Sequence, residues 1–398
     1  MNEIRLALFT DTYVPEINGV AKTLQRWTAY LEKRGIAVKV FAPAGPRRAP
    51  GYQETAERLA SLPFFLYPAC RLAMPVSPGA ERSLLAFKPT AVHVATPFGT
   101  GLTGRRLALK HGIPLIASHH THFARYLPYY NLTWAGALLR RYLHWFHRPC
   151  RRVFVPSPSV LAECRRDGWL GLRVWSRGID ASLFGRAGDR AGWLGEHGLS
   201  ASSFPVLCAG RLAPEKNLGT AMRAFRGFKE RTNADARLVI AGDGPQEGEL
   251  RRLSEQLGID ALFLGAVSQR ELQRWMQASG ALLFPSPTET FGNVALEAMA
   301  CGLPVIAADA GGAARSREGW RDRPALHAGR RGRLRRCARP AARGAGAARS
   351  DLGPGVRLCR HAGLGRRIRR AACGADGRLR RSVRGVTAGI ELFFKKTD

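Results

Sequence analysis

No apolar run in this chain reaches the roughly 18–20 residues that a bilayer-spanning helix requires. The opening Met1-Asn2-Glu3-Ile4-Arg5 has neither the basic end nor the long apolar stretch of a secretory signal. The eight cysteines form no C-x-x-C pair and no metal-ligand spacing, so no thiol-bound metal is expected. These absences point to a soluble cytosolic enzyme with reduced thiols. Disorder throughout is excluded in turn, because 45% of the residues are hydrophobic. A length of 398 residues exceeds one ordinary core and suits two domains.

Acidic residues are scarce, 30 against 62 Lys and Arg, for a net charge of +32. Such a balance normally points to nucleic acid or an anionic membrane. Its location decides otherwise. Residues 313–386 carry 22 Arg, no Lys and 4 acids, so more than half the excess sits in a fifth of the chain. The sequence therefore reads as two texts joined near Gly312, and no specific nucleic-acid partner is expected.

In the first text short apolar runs alternate with helical patterns. Strands are predicted at 4–9, 38–41, 91–95, 115–117, 153–155 and 172–174, then at 205–209, 237–241, 262–264, 281–284 and 304–307. Helices are predicted at 20–34, 218–229, 247–257 and 293–301. This alternation predicts an α/β fold with parallel sheets covered on both faces, and its break near 176–182 marks a boundary. The stretch 45–88, rich in Pro and Gly, reads as irregular structure or an insertion on the acceptor side. Ligands of open parallel sheets bind beyond the carboxyl ends of the strands, so the strand-exit loops are the places to look.

Three exit loops are informative. The run Gly210-Arg211-Leu212-Ala213-Pro214-Glu215-Lys216-Asn217 places two cations beside a helix start that Asn217 could cap. Free helix N–H groups with a guanidinium and an ammonium suit a diphosphate; the plain alternative is two solvated surface cations. In Pro285–Glu297, the carboxylates Glu289 and Glu297 stand in E-x₇-E spacing, and Phe291, Gly292 and Asn293 offer amides at a helix start. Carboxylates hold sugar hydroxyls by directed hydrogen bonds, though Glu297 could merely favour the helix dipole. The first loop, Thr10–Val20, brings Gly19 to the start of a helix, where a ligand can approach the backbone closely. No G-x-G-x-x-G is expected, which disfavours a dinucleotide-binding dehydrogenase.

With these loops in place, the chain resembles a retaining glycosyltransferase of family four with the GT-B fold. The resemblance runs from Ile4 to Gly312. It is carried by P-E-I-N-G-V at Pro15–Val20, S-H-H-T-H-F at Ser118–Phe123, V-P-S at Val155–Ser157 and R-G-I-D at Arg177–Asp180. The second half adds G-R-L-A-P-E-K-N, A-G-D-G-P at Ala241–Pro245 and P-T-E-T-F-G-N-V-A-L-E-A. The resemblance implies two facing Rossmann-like domains, 1–178 on the acceptor side and 179–312 for the nucleotide sugar. It further implies transfer of a hexose from a nucleotide diphosphate sugar with retained configuration, with no cofactor and no essential metal. Arg211 and Lys216 would neutralise the diphosphate leaving group, Glu297 would hold the ribose and Glu289 the donor sugar. Amides near Gly19 and after Glu289 would complete the phosphate cradle, and His120 would sit by the reacting sugar. Histidines 119, 120, 122 and 144 lie near one another in sequence, but adjacent His119 and His120 should face opposite sides of an extended segment. A polar contact is therefore favoured over zinc.

The opening loop and histidine segment resemble most the family members that build bacterial glycolipids, mannosyl transferases among them, which implies a lipid or saccharide acceptor. Residues 125–152 interleave Tyr126, Trp134, Tyr142 and Trp145 with Arg140, Arg141, Arg148 and Arg151. This pattern suits peripheral contact with an anionic bilayer, at the cytoplasmic face. It equally suits a domain helix with aromatics packed inward and arginines outward.

From Ala313 the resemblance stops inside a motif. Arg, Ala and Gly supply 48 of the 74 residues in 313–386, too few apolar groups to order a core. Permitted codons for 314–333, read one nucleotide downstream, spell R-E-V-A-R-D-G-V-T-G-L-L-Y-T-P-G-D-E-A-A, the family's missing text. A frame shift near Ala313 is therefore expected, leaving 313–398 an aberrant tail, the second domain incomplete and the literal chain inactive. Two rivals remain: a non-enzymatic basic nucleic-acid- or membrane-binding protein on a degenerate scaffold, and a nucleotide-sugar epimerase.

Overall fold

The computed structural model describes residues 4–308, apart from 17, 45–54, 65–66, 75–77, 177, 181, 186–187 and 233–234. Residues 313–398, the expected aberrant tail, and Arg177 lie outside the described residues. The chain divides into two units, Met1–Asp180 with Thr288–Leu296, and Ala181–Pro287 with the stretch from Glu297 onward.

In the first unit β1 (Arg5–Phe9), α1 (Gly19–Lys33), β2 (Ala37–Pro43) and β3 (Ala56–Leu59) come first. The hairpin β4 (Ser61–Phe64) and β5 (Tyr67–Ala73) follows, then α2 (Pro78–Phe87), β6 (Ala91–Val94), α3 (Gly99–Lys110) and β7 (Leu115–Ser118). After them stand α4 (Gly136–His147), β8 (Arg152–Val155), α5 (Pro158–Arg166) and β9 (Leu172–Val174). Seven strands form one sheet in the order β3-β2-β1-β6-β7-β8-β9, with every pair parallel. A parallel sheet must be covered on both faces, and β1 is accordingly apolar and buried on both. Its Phe9 stacks on Phe41 of β2, ring centroids 4.3 Å apart, within a core that includes Leu107 and Phe146.

The second unit contains α6 (Arg190–Glu196), β10 (Phe204–Ala209), α7 (Leu218–Thr232), β11 (Ala236–Ala241), α8 (Glu247–Gln256) and β12 (Ala261–Gly265). It continues through α9 (Gln269–Ala278), β13 (Ala281–Phe284), α10 (Asn293–Ala300) and β14 (Val305–Ala307). Its five strands are again parallel, in the order β12-β11-β10-β13-β14. Phe225 and Phe228 of α7 pack on Val206 and Leu238 from one side. Both units are thus Rossmann-like α/β layers.

Two expectations need correction. The described residues of 45–88 are regular: β3 extends the sheet at its edge, β4 and β5 pair antiparallel, and α2 follows. Strands of four and seven residues that contain Pro63 and Pro68 read as turn-rich text in sequence and show no clear period. Second, a G-x-G-x-x-G string absent from the first loop stands after β6, as Gly99-Thr100-Gly101-Leu102-Thr103-Gly104. Its glycines serve close packing: a Cβ on Gly101 would lie 1.7 Å from the Thr96 carbonyl oxygen, and one on Gly104 2.5 Å from the Phe9 ring. The anion position at this helix start is filled by the chain itself. Asp11 accepts from the amides of Thr100 at 2.7 Å and Phe98 at 3.2 Å. Burial raises the Asp11 carboxyl above its ordinary value, against the opposing pull of those hydrogen bonds. A dinucleotide's pyrophosphate would have to displace a half-buried, hydrogen-bonded side chain, so the string does not revive the dehydrogenase reading.

Candidate active site

The strand order of the second unit reverses between β10 and β13, and a ligand crevice forms at such a switch point. The loops that leave these two neighbours are 210–217 and 285–292. They are tied together where the Ser286 hydroxyl donates to the Glu215 carbonyl at 3.3 Å. Buried Leu212 and Ala213 anchor the first loop between half-buried Arg211 and Lys216. A 3-10 turn, Pro214–Lys216, ends at Asn217, which takes a left-handed conformation. Asn217 Oδ1 accepts from the Thr220 hydroxyl at 2.8 Å. Asn217 thus closes the turn before α7, but its side chain accepts from the Thr220 hydroxyl and not from a helix amide, so the expected cap is not formed.

A third loop braces the first. Leu212 N–H donates to the Asp243 carbonyl at 2.7 Å and Gly210 N–H to the Ala241 carbonyl at 2.9 Å. Gly242, at φ +145°, lies against Gly210 so closely that no side chain fits. The A-G-D-G-P motif therefore holds the Arg211–Lys216 loop in shape, a role its spelling alone did not disclose. Glu297 lies on α10 and is buried, with 7% exposure.

The first unit gathers the other candidates. Asn18 caps α1, its Oδ1 accepting from Val20 N–H at 3.0 Å and Ala21 N–H at 2.9 Å, and this places Gly19 exposed at the first helical position. The segment Thr288–Leu296 clusters with this unit, and Thr290 Oγ1 donates to the backbone carbonyl of His120 at 3.0 Å. Glu289 and Phe291 flank Thr290 and are half-buried; Gly292, at φ +81°, precedes Asn293 at the start of α10.

His119 and His120 turn to different neighbours. His120 Nε2 meets Ser118 Oγ at 2.8 Å, and its ring lies 5.6 Å from Trp175. The His119 ring instead lies 5.1 Å from Trp169 and 5.7 Å from His147. Burial holds His119 well below its ordinary pKa and lowers His147 to about 4. His122 pairs with Glu163 at 3.0 Å. Among the described residues no group of three or more His, Cys, Asp or Glu is placed to hold a metal ion.

In residues 125–152 the aromatics divide, some packing inward and others lying exposed beside arginines. Leu143, Phe146 and His147 of α4 are buried, whereas Trp134, Leu138 and Trp145 are 75%, 66% and 48% exposed. Exposed Arg140, Arg141 and Arg148 accompany them, and the Arg105 guanidinium lies 3.9 Å from the Trp145 ring centroid. No helix among the described residues is long and apolar enough to cross a membrane.

Further residues act through neighbours distant in sequence: Asp11, Ser118, Gly242 and Gly244 lie inside stretches already singled out, whereas nothing in the sequence marked His93.

Comparison with known proteins matches these loops to a family. The profile of Glycosyltransferase Family 4 matches residues 17–183, and that of Glycosyl transferases group 1 matches residues 192–317. The sulfoquinovosyl transferase SQD2 of Arabidopsis thaliana is 28% identical over 77% of the chain, which spans 60% of that relative's length. A GDP-mannose-dependent alpha-mannosyltransferase of Mycobacterium tuberculosis is 29% identical over 78% of the chain and 80% of its own. The alpha-monoglucosyldiacylglycerol synthase of Streptococcus pneumoniae is 29% identical over 76% and 71%. Among solved structures, the sucrose-phosphate synthase of Thermosynechococcus elongatus superposes with a TM-score of 0.63, at 21% identity, over 78% of this chain and 82% of its own. The chain belongs to the glycosyltransferases of GT-B fold, with a family 4 domain followed by a group 1 domain.

Proposed function

We propose that this glycosyltransferase moves a hexose, mannose foremost, from a nucleotide diphosphate sugar to a glycolipid or saccharide acceptor, with retained anomeric configuration. The observation that carries the donor is the pair of loops at the β10/β13 switch point, tied by Ser286 and Glu215. There Arg211 and Lys216 neutralise the charge that grows on the departing diphosphate, a differential stabilisation of the transition state. Glu297 accepts from the ribose hydroxyls and Glu289 from those of the hexose. The amides of Phe291, Gly292 and Asn293, with that of Gly19, take the phosphate oxygens. His120 lies by the reacting sugar. No metal enters this scheme, since the diphosphate charge is met by fixed cations and amides.

The acceptor reading draws on the mannosyl and diacylglycerol-glucosyl relatives and on the exposed Trp134, Leu138 and Trp145 among arginines. Aromatic side chains flanked by cations favour an anionic interface, so the enzyme works against the cytoplasmic leaflet. The frame of residues beyond Ala313 is shifted, and the group 1 match ending at 317 supports this. The test is a transfer assay with nucleotide sugars and lipid acceptors on the chain as encoded and on a frame-restored chain. Product from the restored chain alone, with the donor's configuration kept by NMR, is the expected result. An inverted product, an epimerised donor, or no turnover of any nucleotide sugar contradicts the reading.

A further inference from the structure

Behind His120 two polar side chains on adjacent strands extend a line of contacts from its ring. His93 Nε2 lies 3.0 Å from Ser118 Oγ, and Ser118 Oγ lies 2.8 Å from His120 Nε2. His93 is on β6 and Ser118 on β7, which pair in parallel, and all three residues are buried, at 0%, 2% and 7% exposure. The His93 ring is enclosed by Trp27, 4.9 Å away, Trp175 at 6.2 Å and Phe154 at 6.5 Å. So apolar a setting keeps His93 neutral, its pKa lowered by burial to about 3.

A neutral imidazole has one N–H and one lone pair, and a hydroxyl donates once. The direction of the line therefore follows from its inner end. His93 Nδ1 has no hydrogen-bond partner among the described residues. An orphaned buried N–H is rarer than an orphaned acceptor, so the proton of His93 belongs on Nε2. His93 Nε2–H then donates to Ser118 Oγ, the Ser118 hydroxyl donates onward, and His120 Nε2 accepts. The proton of His120 is left on Nδ1.

We infer that His93 and Ser118 are positioning residues that hold His120 as its Nδ1–H tautomer, so that His120 meets its ligand as a hydrogen-bond donor and not as a base. This rests on the placement of His120 by the donor sugar proposed above. On that placement, the histidine's partner is an oxygen of the hexose or its phosphate, and His120 removes no proton from the acceptor. A mere core contact would need no such order, since either tautomer packs alike.

The tautomer is readable without turnover. Imidazole-nitrogen NMR of the full chain, histidine labelled with ¹⁵N, at pH 8, identifies which His120 nitrogen carries hydrogen; His120→Gln assigns the signal. The expected spectrum has hydrogen on Nδ1. Ser118→Ala should lose that preference, and Ser118→Thr, which keeps the hydroxyl, should restore it. His120 protonated on Nε2 in the unsubstituted chain overturns the inference, as does an Nδ1–H signal untouched by Ser118→Ala. Where Ser118→Ala fails to fold, the unsubstituted spectrum decides alone, and the frame-restored chain gives the same readout where the encoded chain is unstable. A hexose-transfer assay separates the outcomes: activity with the wrong tautomer sinks the relay and spares the transferase, whereas the Nδ1–H tautomer without any turnover does the reverse.

Discussion

A Cβ on Gly242 would stand 1.9 Å from the carbonyl oxygen of Gly210, closer than any real contact, and Gly242 also sits at φ +145°. The two glycines form the buttress of the Arg211–Lys216 loop. Gly242→Ala must move that backbone and bear left-handed strain of about 1–3 kcal/mol. The expected outcome is weaker nucleotide binding by at least tenfold together with a lowered melting temperature. Nucleotide titration and calorimetric unfolding of the frame-restored variant check it. Unchanged affinity would detach the buttress from the site.

Glu289→Ala should lower turnover far more than it lowers affinity for the bare nucleoside diphosphate, because the carboxylate is assigned to the hexose. A loss of one charged hydrogen bond is worth about 1.5–3 kcal/mol, or roughly 10- to 100-fold. Parallel measurement of kcat and of nucleoside diphosphate Kd tests the split. Equal losses in both would move Glu289 to the nucleotide.

Much of the layout was legible because long parallel strands such as β1, β10 and β13 are continuous apolar runs, and a run survives in sequence without any partner. Their exit loops followed directly, and with them Arg211, Lys216, Glu289 and Glu297. What stayed hidden depends on pairing. His93 and Ser118 are 25 positions apart and meet only because β6 lies beside β7. Asp11 finds the amides of Phe98 and Thr100 only because β1 lies beside β6. The G-x-G-x-x-G of α3 misleads in the opposite sense, since its meaning depends on Asp11 already occupying the helix start.

Acid should unfold the protein in a defined window. His93 and His147 have folded pKa values near 3 and 4 against an ordinary 6.5, so above 6.5 neither form binds the proton and stability is unaffected. Below 6.5 the unfolded chain gains protons that the folded chain refuses, and stability falls by about 1.4 kcal/mol per pH unit for each group until the folded value is reached. Asp11 and Glu16, raised by burial, act in the opposite sense, since the fold takes up their protons above the ordinary carboxyl values. Urea midpoints of the frame-restored chain should be flat from pH 8 to 7 and decline from 6.5 to 4, with a shallower decline in His147→Phe. A flat profile to pH 4 would contradict the buried neutral state.

The exposed face of α4 should bind anionic vesicles. Each arginine near such a surface contributes about 1 kcal/mol, screened by salt. Trp134→Ser with Trp145→Ser should reduce cosedimentation with phosphatidylglycerol vesicles several-fold, and 0.5 M salt should reduce it further. Binding unchanged by either would assign these side chains to the protein's own surface.

Calorimetric titration of the frame-restored chain with nucleotide diphosphate hexoses, beside its Lys216→Ala variant, addresses the donor site most directly. Micromolar binding of at least one activated hexose, lost by tenfold or more in the variant, is the expected result. No heat with any of them, or affinity indifferent to Lys216, would contradict it.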